Sequence, residues 1–589
     1  MKINEKTQER ILWLLLLGLA VLMVLRTFYG TEQTDEAYYI AEAKGVLEGN
    51  LPYAFDSSRA VGMVFPMLPF MALYRLLVPD LTGVFLYMRI CYVVFRMALI
   101  VLILWLLRRQ YPKKVLLLAG SVLVVWFGSG IQNFNYTSIS SYLLLLAGVL
   151  LATALEDGTA KSVYRASVLA GALMAFTEAA HIAMAPNVLL FALLIWLMAS
   201  REQRWKALGA YILGGLMTVL VVLGTIGILA GFDHLWYGLE SFFFYNTMLP
   251  NATNSGLAAV VSALWGAFQY LWKYMLLAYL GGFFAWVAWR KVRLEALAPG
   301  RGACIAASIS LIAGSTFLLR YGWTPSVLEN IGAMALVAGL GCLWYRPSKL
   351  LWFVALPPIF IALFLAIFSN NTNPPAYRFI FMVPALFVVV LHLDQQSQLH
   401  PERWLAYASI ILSVFAILKY DFQYVYRDGE FHELTTRVES GIYTGLYTTP
   451  QRAKDMPELE AYLKEVTAPG EKILFRDNVP AGYLMQNGVM CDIRAWDHLQ
   501  YSYGCNDPVP LYRYFINREM IPDKIIYVDY GTDERLSIEE PAYKFNEFVD
   551  TFYFFGEECK LNGSYRVRIY VLQADRLEEV VKWLGVEVG

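Results

Sequence analysis

Residues 31–49 read TEQTDEAYYIAEAKGVLEG, and they follow the first long apolar stretch, Ile11 to about Tyr29, almost directly. The pair Asp35-Glu36 therefore stands at the edge of an apolar block, on a short amphipathic segment, in a chain that otherwise keeps acids away from such blocks. Whether Ile11–Tyr29 is retained in the membrane, and on which side residues 31–49 emerge, decides the fold.

The rest of the sequence answers the first point. Of 589 residues, 58% are hydrophobic and 16% charged, against about 25% charged in an ordinary soluble domain. The net charge of -1 gives no electrostatic footprint for nucleic acid or another polyanion. Residues 1–420 form nearly continuous apolar blocks, whereas 421–589 read as soluble protein. A basic start (Lys2, Lys6, Arg10) precedes the first block, but no small-residue cleavage site follows it, so it is expected to stay as a first helix.

A helix needs about 20 apolar residues to cross a bilayer. By that measure the expected crossings are 11–29, 83–107, 115–130, 138–155, 166–181, 184–199, 207–231, 271–289, 302–319, 326–345, 350–369, 377–393 and 403–419. Residues 61–77, VGMVFPMLPFMALYRLL, are left out because of Pro66, Pro69, Arg75 and charge parity. With that stretch in the interface, Lys and Arg load alternate loops: Arg108, Arg109, Lys113, Lys114, Lys161, Arg165, Arg201, Arg204, Lys206, Arg290, Lys291, Arg293, Arg301, Arg346, Lys349 and Arg403. The opposite loops hold only Lys44, Arg59, Arg75, Arg320 and Arg378. Cytoplasmic loops are the basic ones, so the N-terminus is expected inside a plasma membrane and residues 421–589 outside. The external pieces are then 30–82, with interfacial helices, 232–270 and the terminal domain.

That arrangement restricts the chemistry. No P-loop and no dinucleotide glycine fingerprint sits at a strand-to-helix junction. Outside the cell there is no nucleotide supply, so an activated substrate must arrive on a lipid carrier. An inside N-terminus, TDEAYYIAEAKGVLEGN after the first helix, MVFPMLPFMALYRLL leading to a helix with Arg89, and NPPAYRFIFMVPALFVVV entering a late helix together resemble the GT-C superfamily of membrane glycosyltransferases. The protein mannosyltransferase and aminoarabinose transferase branches are the most similar. The resemblance implies a polytopic α-helical fold with about thirteen crossings and an external α/β or α+β domain. It also implies a polyprenyl-phosphate sugar as donor, a glycan, lipid or protein as acceptor, and inversion at the anomeric carbon. Some branches use a divalent metal, Mg2+ or Mn2+. The next external loop, SGIQNFNYTS, carries Gln132, Asn133 and Asn135 but no second acid, and AFTEAAHIA stands where many relatives have a basic residue. The residues themselves call for no cofactor and form no metal-ligand set, the six His being scattered.

Each candidate residue has two readings. Asp35 is a general base for an acceptor hydroxyl, or a helix N-cap; the resemblance favours the base. Glu36 is a second catalytic acid or metal ligand, or a solvated or structural acid. Tyr38 and Tyr39 are interfacial aromatics, with a sugar stacking on either, Tyr39 among the candidate substrate contacts, as the alternative. Arg378 holds the departing phosphate through a bidentate fork, or snorkels to the interface; Arg320 is a weaker version of the same case. Arg96 is expected to face the bundle as a structural partner. Glu178 and His181, one turn apart, bind substrate or hydrogen-bond to each other. The aromatic loop at 232–270, with Asp233, His234 and Glu240, covers a cleft or anchors at the interface.

Cys91, Cys304 and Cys342 read as inert helix residues, while Cys491, Cys505 and Cys559 lie where oxidation is available. Sequons occur at Asn135, Asn251 and Asn562. The terminal region alternates strand-like runs (KILFR, KIIYVDY, YRVRIYVLQ) with helical ones (MPELEAYLKEV, RLEEVVKWLG). A flippase or transporter of lipid-linked saccharides and a glycan ligase or polymerase share the topology. The former calls for matching broken helices in two halves, which the sequence does not show.

Overall fold

The structure, a computed structural model, describes residues 4–48, 61–128, 130–181, 184–230, 232, 265, 331–332, 335–336, 338–340, 342–343, 347–358, 360–361, 381, 383–396, 400–476, 479–492, 495, 509–529, 543–561 and 565–588. The loop at 233–264, the crossings at 271–289 and 302–319, most of 326–345, Arg320, Arg378, Cys304, Cys505, Asn251 and Asn562 lie outside the described residues. The chain is mostly helical, with several apolar helices followed by a C-terminal α/β region.

Numbering the described elements in order, the helical region holds α1 (Glu5–Arg26), α2 (Asp35–Leu47), α3 (Val61–Leu77), α4 (Val84–Leu107), α5 (Lys113–Val125) and α6 (Tyr136–Asp157). It continues with α7 (Ala160–Ala180), α8 (Ala185–Met198), α9 (Arg204–Ala230), α10 (Lys349–Ala355), α11 (Val383–Gln396) and α12 (His400–Asp421). Among the described residues four helices, α1, α4, α6 and the first 22 residues of α9, are long and apolar enough to cross a bilayer. On α1, α4 and α9 apolar side chains also point outward: Leu14 is 67% exposed, Val94 65% and Leu220 70%, whereas α6 is buried within the bundle. Water would penalise such faces and hydrocarbon would not. Inside the bundle the helices approach closely where glycines allow it. A Cβ on Gly171 of α7 would fall 1.9 Å from the Tyr211 carbonyl oxygen of α9, and one on Gly214 2.0 Å from that of Val168. Small residues at such crossings let backbones touch.

The helix ends sort into two sets. At one end Lys113 pairs with Glu9 and Lys114 with Glu5, both at 3.1 Å, while Lys349 donates to the Leu155 carbonyl at 2.7 Å. At the other, Gly30 N donates to Tyr447 O at 2.8 Å and Gly83 N to Gly441 O at 2.9 Å. Residues 30 and 83 thus meet the same C-terminal segment. Residues 61–77 form a continuous helix, α3, with Pro66 and Pro69 inside it.

The C-terminal region carries two short hairpins, β1 (Tyr424–Val425) with β2 (Gly429–Glu430) and β3 (Thr436–Arg437) with β4 (Tyr447–Thr448). After α13 (Pro450–Val466) come β5 (Lys472–Arg476), α14 (Gly482–Met485), β6 (Val489–Met490), α15 (Val509–Asn517) and β7 (Lys524–Asp529). The chain closes with α16 (Tyr543–Phe552), β8 (Tyr553–Leu561), β9 (Tyr565–Leu572) and α17 (Leu577–Val588). One five-stranded sheet runs β6-β5-β7-β9-β8, parallel through β6, β5 and β7 and antiparallel at β9 and β8. Both faces of β5 and β7 are buried, as parallel strands require. Leu474 and Ile525 face Phe515, Phe548 and Leu584, while Ile473, Phe475 and Ile526 join the core shared with α13 and the membrane helices. The sheet's carboxyl edge meets α2 and the loop before it: Ala481 N donates to Gln33 O at 3.1 Å, and Lys44 Nζ to Tyr483 O at 2.7 Å.

Candidate functional site

Asp35 begins α2, but it is not the cap. Thr34 holds the N-cap position without a side-chain cap bond, and two backbone donors at the start of the helix are met by Glu32. Glu32 Oε1 accepts Thr34 N at 2.9 Å and Oε2 accepts Glu36 N at 2.6 Å. This leaves the Asp35 carboxylate, 18% exposed, to face the β1–β2 hairpin. Tyr426 donates its hydroxyl to Asp35 Oδ2 at 2.6 Å. Arg427 Nη1 lies 3.4 Å from the same oxygen and 3.8 Å from Glu32 Oε1, and also donates to Thr34 Oγ1.

The β1–β2 turn carries strain at this point. Arg427 has φ 53°, in the left-handed region, which costs a side-chain-bearing residue roughly 1–2 kcal/mol. Asp428 holds the turn there: its carboxylate accepts Thr31 N at 2.7 Å and Thr448 Oγ1 at 2.8 Å and pairs with Arg452 at 3.2 Å. The sequence signal was the Asp428-Gly429 turn pair, but nothing in it shows that the turn lands on Asp35.

Glu36 points the other way: the structural reading fits it, and the catalytic and solvated ones are corrected. Only 2% of its side chain is exposed. Arg89 grips it with Nε to Oε1 at 2.7 Å and Nη2 to Oε2 at 2.6 Å, while Arg89 Nη1 reaches the carbonyls of Thr27 and Tyr29 at 3.0 Å. One guanidinium thus joins the end of α1, the start of α2 and the body of α4. Adjacent residues on a helix point about 100° apart, so one acid is buried while its neighbour is presented.

The other candidates are placed as follows. Tyr39 is 2% exposed and packed in the core with Tyr38 against it at 5.2 Å, so it offers no open face to a sugar. An interfacial position was expected; the packing of α2 into the main core buries it instead. Helix α7 stops at Ala180, and His181 leaves it with extended backbone, its ring stacked on Tyr136 at 4.7 Å. Glu178 and His181 therefore do not share a helical face. Arg96 is buried and donates to the carbonyls of Trp126 and Val124, as a structural partner should. Asn135 is a buried N-cap accepting from Ser138 N at 3.0 Å, not an exposed glycosylation acceptor.

Burial, and then the Asp35 charge, push the Glu32 carboxyl above the usual carboxylate range, with Arg427 and the Thr34 and Glu36 donors pulling part of the way back. An unfolded glutamate titrates near about 4.3. The folded chain holds this proton more tightly, so the group's stabilising contribution is complete below that value and is lost as pH rises through the raised one. The thermal midpoint is expected to fall across that interval, and Glu32→Gln to remove that part of the slope. Equal slopes in both proteins would uncouple Glu32 from folding.

Among the described residues no group of three or more His, Cys, Asp or Glu gathers to hold a metal ion. At Asp35 the two carboxylates already share a guanidinium, so this donor set does not fit the divalent metal that the resemblance brings in.

The sequence matches no family model and no curated protein. Among solved structures, it is similar to the oligosaccharyltransferase of Archaeoglobus fulgidus in its apo form, at 11% identity and TM-score 0.36, over 87% of this chain and 69% of that one. The archaeal oligosaccharyltransferase AglB from Archaeoglobus fulgidus, in complex with an inhibitory peptide and a dolichol-phosphate, gives 11%, 0.36, 95% and 74%. The Archaeoglobus fulgidus oligosaccharyltransferase in complex with zinc and sulfate gives 12%, 0.35, 94% and 73%. Likeness at that level does not transfer a function, which rests here on the residues around Asp35.

Proposed function

We propose that the chain is an integral membrane glycosyltransferase of the GT-C type. It moves a sugar from a polyprenyl-phosphate donor to an acceptor on the extracytoplasmic side, with the N-terminus cytoplasmic and residues 421–589 outside. The observation that carries this reading is the Asp35 carboxylate, kept partly open at the joint between α2 and the external hairpin while its neighbours Glu32 and Glu36 are buried. Asp35 takes the proton of the acceptor hydroxyl as that oxygen attacks the anomeric carbon. The bond from that carbon to the phosphate oxygen breaks, its electron pair leaves with the lipid phosphate, and the centre inverts. A base positioned in this way contributes roughly 10²–10⁴-fold.

The test is the purified protein in liposomes with a labelled polyprenyl-phosphate sugar and a panel of glycan, lipid and peptide acceptors. Label is expected to leave the phosphate and appear on an acceptor. Labelled lipid that only changes leaflet, with the sugar still attached, would replace this reading by the flippase one.

A further inference from the structure

Resting on that reading, we infer that an aromatic strip across β7, β9 and β8 binds a saccharide, so that the acceptor is a glycan held on the C-terminal sheet. Side chains of this sheet alternate between its two faces. On the face turned away from the membrane helices, Ile525, Leu572 and Tyr553 pack with side chains of α15, α16 and α17. Further along that face the rings of Tyr527, Tyr570 and Phe555 follow one another across three neighbouring strands, edge to face, with centroids 5.5 and 5.6 Å apart. Tyr527 is buried, Tyr570 is half-buried and Phe555 is 53% exposed.

The polar groups beside the rings complete the strip. The strand register sets Arg568 opposite Tyr527 on one side and Glu558 on the other, and its guanidinium lies over the Tyr527 ring at 5.7 Å. Arg568 Nε is buried and meets no hydrogen-bond partner among the described residues, and a buried donor left unpaired is costly. Arg566, on the same face, is by contrast committed to Glu558 at 2.8 Å, and Lys560 is exposed. Open ring faces take the apolar C–H side of a pyranose, while a guanidinium and a carboxylate take its hydroxyls. The steps between the rings are comparable to the length of one sugar unit. A protein partner would need a continuous apolar core, and here Arg568, Glu558 and Lys560 interrupt it. The strip is also tied to the site. Gln33, two residues before Asp35, donates to the hydroxyl of Tyr565 at 2.7 Å at the start of β9. Arg568 is three residues further on, about 10 Å along the strand, so a glycan of a few units on the strip can extend to α2.

The experiment measures binding of labelled tetrasaccharides of glucose, mannose and galacturonic acid to the full chain in zwitterionic nanodiscs, beside transfer from a labelled polyprenyl-phosphate sugar. One of the three is expected to bind. Phe555→Ala removes an exposed ring, so folding is kept, and should weaken that binding about five- to tenfold, while Phe555→Tyr stays near wild type. Arg568→Gln should weaken it about tenfold or more without lowering the thermal midpoint. In transfer to the same tetrasaccharide, Phe555→Ala should raise KM by the factor seen in binding with little change in kcat; a merely structural role would not divide the two in this way. Wild-type affinity in both Phe555→Ala and Arg568→Gln would overturn the inference. So would stronger fluorescence quenching by brominated lipid in Phe555→Trp than in wild type, which would put this face on the membrane surface. If no tetrasaccharide binds while label passes from the phosphate to a peptide or lipid, this inference fails alone and the glycosyltransferase reading stands. A tetrasaccharide held through Phe555 and Arg568 by a protein that never releases sugar is the reverse case.

Discussion

Asp35→Asn is expected to lower sugar transfer by about 10²–10⁴-fold with little change in the amount of folded protein. The amide keeps the size of the side chain and still accepts the Tyr426 hydroxyl, now 2.6 Å from Oδ2. What it loses is the capacity to take a proton at neutral pH. The structure makes the comparison clean, because the capping of α2 belongs to Glu32 rather than to Asp35. A helix cap exchanged for Asn would cost only tenths of a kcal/mol and leave turnover alone. The measurement is single-turnover transfer from a labelled lipid-phosphate sugar, beside a thermal unfolding curve of each protein. Turnover close to wild type would remove Asp35 from the chemistry, and a collapse of the folded fraction would make it structural.

Arg89→Ala is expected to be the most damaging substitution to stability. Removing one partner of a buried pair leaves the other charge without compensation and costs about 3–5 kcal/mol. Arg89 is 4% and Glu36 2% exposed, and the same guanidinium also satisfies the carbonyls of Thr27 and Tyr29. Thermal unfolding in detergent should show the loss. Because Glu36 is next to Asp35, transfer per folded molecule should fall as well, since the first turn of α2 loses its anchor. The double variant Glu36→Gln/Arg89→Met tests the origin of the effect. If the damage is a stranded charge, the pair loses less than the sum of its single variants. Strictly additive losses would show that the two side chains do not act as a unit.

The acid just beyond the first helix and the apolar helices were both legible from the sequence. Each follows from transfer energetics, which depend on residue type and run length and need no knowledge of neighbours. The strand-like runs KILFR and KIIYVDY, set between helical ones, likewise gave the α/β character of the C-terminal region. The site was only half legible. Asp35 was found because a carboxylate beside a membrane helix stands out locally, but Glu36, identical in charge and adjacent in sequence, has the opposite fate. Arg89, 53 residues away, decides that difference.

Glu32 lay in the run that was read, and its role as the cap of α2 follows only once the backbone of residues 34–36 is in place. Tyr426 and Arg427, 391 and 392 residues beyond Asp35, carried no local sign of function. Burial preferences are properties of single side chains and survive in the sequence. Hydrogen bonds and ion pairs are properties of two groups at about 3 Å, and nothing in the order of residues says which distant pairs the fold brings to that separation. Composition and run length therefore determined the long apolar helices and placed an acid just beyond the first of them. Only the tertiary structure decided which acid stays partly exposed, what holds the other two, and that a strained arginine of the β1–β2 turn stands over it.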